Sequence, residues 1–111
     1  MEIRITEQKG AQVVTLDGDL DGANTPLVQE KILPLAGPEG RIVLDMSKVM
    51  YMSSAGLRML LLMYRMIVGK GGKVALVGLS EDLADTMAMT GFLDFFNRFV
   101  TVEEGLASLA G

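Results

Sequence analysis

Short runs of β-branched and aliphatic residues alternate along this chain with longer stretches whose apolar positions recur every three or four residues. Residues 3–7 and 11–17 are rich in Ile, Val and Thr and are separated by Lys9-Gly10, which predicts an antiparallel β-hairpin. Over residues 25–35, Leu27, Val28, Ile32 and Leu35 fall near helical spacing, with Pro26 suited to a first helical position and Gly37-Pro38 as a stop. Residues 41–45 (R-I-V-L-D) form a continuous apolar run, the signature of a central strand covered on both faces. A second helix is expected over 54–68, closed by Gly69-Lys70-Gly71-Gly72, followed by a buried strand over 73–77. Ser80 is placed to cap a third helix that stops at Gly91; 99–102 reads as a short edge strand and 103–109 as a last helix. The order β-β-α-β-α-β-α-β-α predicts an α/β fold: a mixed sheet of four to five strands flanked by about four helices.

The second helix carries more apolar surface than one face needs. On a helical wheel Leu57, Leu60, Leu61, Tyr64, Ile67 and Val68 share a broad face, the expected core side. Arg58 and Arg65 mark a flank. Met59, Leu62, Met63 and Met66 form a second apolar stripe roughly opposite, where a surface helix is normally polar. Other helices or the following loop can cover such a stripe, since Met fills irregular gaps. Alternatively it is a surface for a partner that is bound and released, or for a second copy of the chain.

Composition removes most other function classes. At 111 residues the chain fits one domain, residues 1–111, with one buried core. Fourteen acidic residues against ten basic give a net charge of -4, which argues against a nucleic-acid or anionic-membrane footprint. There is no Cys and no His, so disulfides, thiolate nucleophiles, imidazole bases and the usual zinc ligands are excluded together, and no cofactor is expected. No run approaches the ~18 apolar residues of a membrane span, and the N-terminus lacks a signal-peptide pattern; a cytoplasmic protein without membrane insertion is expected. Gly69-Lys70-Gly71-Gly72-Lys73 lacks the P-loop spacing and its following Ser or Thr, and Ser54 stands outside a Gly-x-Ser-x-Gly elbow. The chain is therefore not expected to be an enzyme.

What remains is Ser53-Ser54, two hydroxyls at the predicted start of helix two. A hydroxyl there can cap the helix, bind an anion or accept a phosphoryl group. Ser53 is the better cap, which leaves Ser54 as the first helical residue, beside the small Ala55 and Gly56.

The segment Asp45-Met46-Ser47-Lys48-Val49-Met50-Tyr51-Met52-Ser53-Ser54-Ala55-Gly56-Leu57 resembles the central motif of the STAS domain family, and within it the small bacterial anti-sigma factor antagonists. Gly18-Asp19-Leu20-Asp21 matches a second family element, and residues 73–79 with Thr90-Gly91-Phe92 a third, so the resemblance spans the chain. It implies a mixed sheet flanked by helices. It implies that Ser54, two residues before the motif glycine, is the phosphoacceptor. The implied mechanism is partner switching. The unphosphorylated antagonist binds an anti-sigma factor that is a GHKL-type serine kinase and frees the sigma factor; phosphorylation abolishes binding; a PP2C-type phosphatase resets the cycle. By family position Asp21 lies near the phosphoacceptor, where it positions the hydroxyl or assists docking; as a residue type it equally suits a turn or cap before helix one. Asp45 and Ser47 are expected to order the loop before the site. The partner-binding set is then Asp21, Ser53, Ser54, Ala55, Gly56, Arg58, Met59, Leu62, Met63 and Met66. Many family members have Asp before the phosphoacceptor, where this chain has Ser53. The alternative is a STAS adaptor subunit of a transporter or signalling complex with no phosphorylation cycle.

Overall fold

The computed structural model describes residues 1–110. Five strands form one mixed sheet in the order β1-β2-β3-β4-β5. β1 (Glu2–Gln8) and β2 (Ala11–Asp17) make the expected antiparallel hairpin, turning through Lys9 and Gly10 at φ 50° and 78°. Two positive φ values in a two-residue loop match the right-handed twist of the strands, and glycine adopts one of them without strain. β3 (Arg41–Lys48), β4 (Lys73–Val77) and β5 (Asn97–Phe99) add in parallel to β2.

Parallel pairs need crossovers, and the helices supply them. α1 (Thr25–Ile32) joins β2 to β3, α2 (Ser54–Gly69) joins β3 to β4, and α3 (Glu81–Met89) joins β4 to β5. These three cover one sheet face, burying Val28, Ile32, Leu60, Met63, Ile67, Leu83 and Met87 against Val14, Leu16, Ile42, Leu44, Met46 and Leu76. α4 (Val102–Leu109) covers the other face, where Leu106 and Leu109 meet Ala11, Val13, Val43, Ala75 and Val77. Alternation along β2, β3 and β4 sends large residues to the three-helix side and small ones to the α4 side. Gly105 completes that close fit, since a Cβ there would lie 2.9 Å from Val77 Cγ2.

The elements differ from expectation mainly at their ends. β3 runs three residues past Asp45, because Met46 still points into the core. Residues 33–35 tighten into a 3-10 turn after α1, with Pro34 within them. The last strand lies at 97–99 rather than 99–102: Phe96 is buried just before it, while Val100 is 80% exposed beyond it. No described helix is long and apolar enough to cross a membrane.

Candidate functional site

β3 delivers the chain to the rim of the sheet. Asp45 Oδ1 accepts both the Ser47 amide (3.0 Å) and the Ser47 hydroxyl (2.7 Å), fixing the end of the strand as expected. Val49 is buried and its amide closes a turn onto the Met46 carbonyl (3.0 Å). Met50 and Tyr51 then project outward, 78% and 54% exposed, before Met52 returns to the core.

This loop is stitched to the one that follows β2. Leu20 and Met52 form a parallel bridge: the Leu20 amide donates to the Tyr51 carbonyl (2.9 Å), and the Ser53 amide donates to the Leu20 carbonyl (3.0 Å). Gly56 closes the same junction from the helix side. A Cβ at that position would sit 2.2 Å from the Leu20 carbonyl oxygen, so only glycine lets α2 begin this close to the neighbouring loop.

The two serines divide as expected. Ser53 has extended backbone (φ -80°, ψ 173°) and its Oγ accepts the Gly56 amide at 3.2 Å, so it is the N-cap of α2. Ser54 is the first helical residue and is exposed; its hydroxyl makes no hydrogen bond among the described residues. Asp21 lies in the stitched loop, but its carboxylate is turned to its own backbone: Oδ1 accepts the Ala23 and Asn24 amides, both at 3.1 Å. It shapes the turn into α1, the second of the two roles its sequence position allows.

The exposed side of α2 is not the side the wheel suggests. Met59 and Met63 are 3% and 1% exposed and belong to the core, together with Gly56, Leu57, Leu60 and Ile67. Met66 is half-buried against the same cluster. Of the expected outer stripe Leu62 stands exposed, whereas Val68, assigned to the core side, is exposed and Leu61 half-exposed. At 100° per residue, the buried face is turned by roughly 70° from the expected one. The cause is that α2 is flanked as well as backed: α1 packs along one side, and Tyr64 is held by Phe95 and Phe96, with centroids 6.0 and 5.0 Å away. The corrected outward face carries Ser54, Arg58, Leu62 and Arg65, with Leu61 at its edge. Ala55 is half-buried, and Gly56 is buried against the Leu20 loop.

Met50 and Tyr51, exposed four and three residues before Ser54, escaped the sequence reading. Their signal was present: two large apolar residues lie outside any strand or helix, immediately before a helix cap. A groove of about 800 Å³ lies elsewhere, between Gly78-Leu79 and β5, and no residue of the 49–58 segment lines it. Among the described residues, no three His, Cys, Asp or Glu side chains gather as a metal site.

The arrangement is a rim tied by backbone hydrogen bonds that presents the unpaired Ser54 hydroxyl at a helix start, on a helix face that also carries Arg58 and Leu62. The STAS domain profile matches residues 2–105. The chain belongs to the STAS domain family. This STAS domain is 30% identical over 93 residues to the anti-sigma-B factor antagonist of Bacillus subtilis, covering 84% of this chain and 85% of that one. Two solved structures share its fold. One is an anti-sigma factor antagonist from Mycobacterium paratuberculosis (TM-score 0.87, 21% identity, 99% and 94% of the two chains covered). The other is an anti-sigma-factor antagonist (STAS) domain protein from Planctomyces limnophilus (TM-score 0.86, 18% identity, 97% of each chain covered).

Proposed function

We propose that this STAS domain is an anti-sigma factor antagonist that works by partner switching, with Ser54 as its phosphoacceptor. The observation that carries the reading is the division of labour at the start of α2. Ser53 satisfies the helix end, so the Ser54 hydroxyl is left unbonded and exposed on an outward face. The B. subtilis relative bears the name of an anti-sigma factor antagonist, which supports the same reading. In the unphosphorylated state Met50, Tyr51, Ser54, Arg58 and Leu62 dock on an anti-sigma factor of the GHKL serine-kinase type, and the sigma factor is released. The kinase transfers the γ-phosphoryl group of ATP to Ser54 Oγ, and the hydroxyl proton leaves to a base of the kinase. The new group carries about -1.5 to -2 charges, tolerated at a helix N-terminus but costly inside a desolvated contact. A PP2C-type phosphatase removes it. This chain performs no catalysis itself, and its place is the cytoplasm.

Co-purification from the native host identifies the partner, and binding is then measured for three forms. Ser54→Ala is expected to bind like the parent, and Ser54→Glu about tenfold or more weaker, the scale of burying an unpaired charge. Equal binding by all three would sink the switch and favour a STAS adaptor subunit without a phosphorylation cycle.

A further inference from the structure

The outward face of α2 holds a cation where the switch would place an anion. Arg58 lies four residues after Ser54, one turn along the same face. Side chains at that spacing are neighbours, about 5–6 Å apart at Cβ, and an acidic group N-terminal to a basic one is the favourable order. Long helical side chains lean toward the helix N-terminus, which puts the turn that begins at Ser54 within reach of the Arg58 guanidinium. Arg58 is exposed and makes no hydrogen bond or ion pair among the described residues. No Asp or Glu occurs anywhere in α2 to compete for it.

We propose that Arg58 is the internal counter-ion of a phosphate on Ser54, so that modification both adds negative charge and withdraws a positive charge from the docking face. The proposal rests on the reading of Ser54 as the phosphoacceptor. Unmodified, the face runs Arg58, Leu62, Arg65: a cation, an apolar anchor and a second cation, a pattern that suits an acidic, partly apolar surface on the partner. With Ser54 phosphorylated, the planar fork of Arg58 folds back on the phosphate oxygens, which it can engage through two donors. Arg65 stays outward. It is eleven residues from Ser54, about 16 Å along the helix axis, and beyond reach of the phosphate. Other charges in the elements that meet α2 are Asp19 and Asp21 in the stitched loop, Lys48 at the end of β3, and Glu30 and Lys31 in the last turn of α1. All of them are common to the variants compared below, so differences between variants report the arginines.

The test uses the full chain with phosphoserine installed genetically at position 54, so that it needs no kinase. Phosphorus NMR follows the second ionisation of the phosphate against pH in this chain, in Arg58→Gln and in Arg65→Gln. A neighbouring cation favours the dianion and lowers the midpoint. Removing Arg58 is therefore expected to raise it by roughly 0.2–0.4 pH units, and removing Arg65 to leave it in place. High salt is expected to shrink the Arg58 difference, as for any exposed pair. Equal midpoints for the parent and Arg58→Gln, or equal shifts for the two arginine variants, would overturn the pairing. A native kinase that leaves Ser54 unmodified would instead overturn the functional reading, and the titration would still stand as a measurement of the pair.

Discussion

Ser53 carries a structural duty that its neighbour does not share. Its Oγ satisfies the Gly56 amide, one of the four amides at the helix start without a helical acceptor. Ser53→Ala is expected to lower stability by about 1 kcal/mol, and Ser53→Asp, an equally good cap, to leave it nearly unchanged. Urea denaturation of both variants checks this, and a neutral Ser53→Ala would show that the cap bond contributes nothing in solution. This residue was legible in the sequence because capping is local chemistry: a small hydroxyl before an apolar periodic run has few other uses. Asp21 was only half legible. Its type announced a turn, but whether its carboxylate faced its own backbone or Ser54 depended on how two distant loops meet, which no local pattern encodes.

At the scale of the element, α2 is where sequence reasoning slipped. Its apolar residues outnumber what one face requires, so two stripes compete on a wheel, and periodicity alone cannot choose between them. Packing chose: with the sheet beneath, α1 on one flank and Phe95-Phe96 against Tyr64, the buried arc takes in Gly56, Leu57, Met59, Leu60, Met63 and Ile67. The correction predicts opposite outcomes for adjacent residues. Met63→Ala is expected to cost about 2–5 kcal/mol by opening a cavity in the core. Leu62→Ala should stay within about 0.5 kcal/mol of the parent in stability while weakening partner binding. Thermal melts and a binding titration distinguish the two; equally small stability losses at both positions would restore the original assignment, and equally large ones would put Leu62 in the core with Met63. Element order and type were otherwise readable, since strand runs and helix caps are short-range signals. Where β5 sits was not, because a three-residue edge strand is defined by its neighbour more than by its own residues.

For the whole molecule, the sheet divides the stability. β3 is paired on both sides and roofed by helices on both faces, whereas β1 is paired on one side and almost wholly exposed. In hydrogen exchange the amides of residues 42–46 are expected to open only with global unfolding, and those of β1 and β5 through local fraying. Equal protection across the sheet would mean that it opens as a single cooperative unit. The candidate site borrows from the slow end of this gradient: it grows from the C-terminal end of β3, and its two loops are tied by the Leu20–Met52 bridge, with Gly56 pressed against the Leu20 carbonyl. That contact has a kinetic consequence. A recognition rim clamped by backbone bonds has little freedom to surrender when it docks, and no slack with which to absorb an added group. Association should therefore proceed in one step at a rate set by charge and diffusion, and release on modification should follow as fast as the complex falls apart, with no slow rearrangement of this chain between the two.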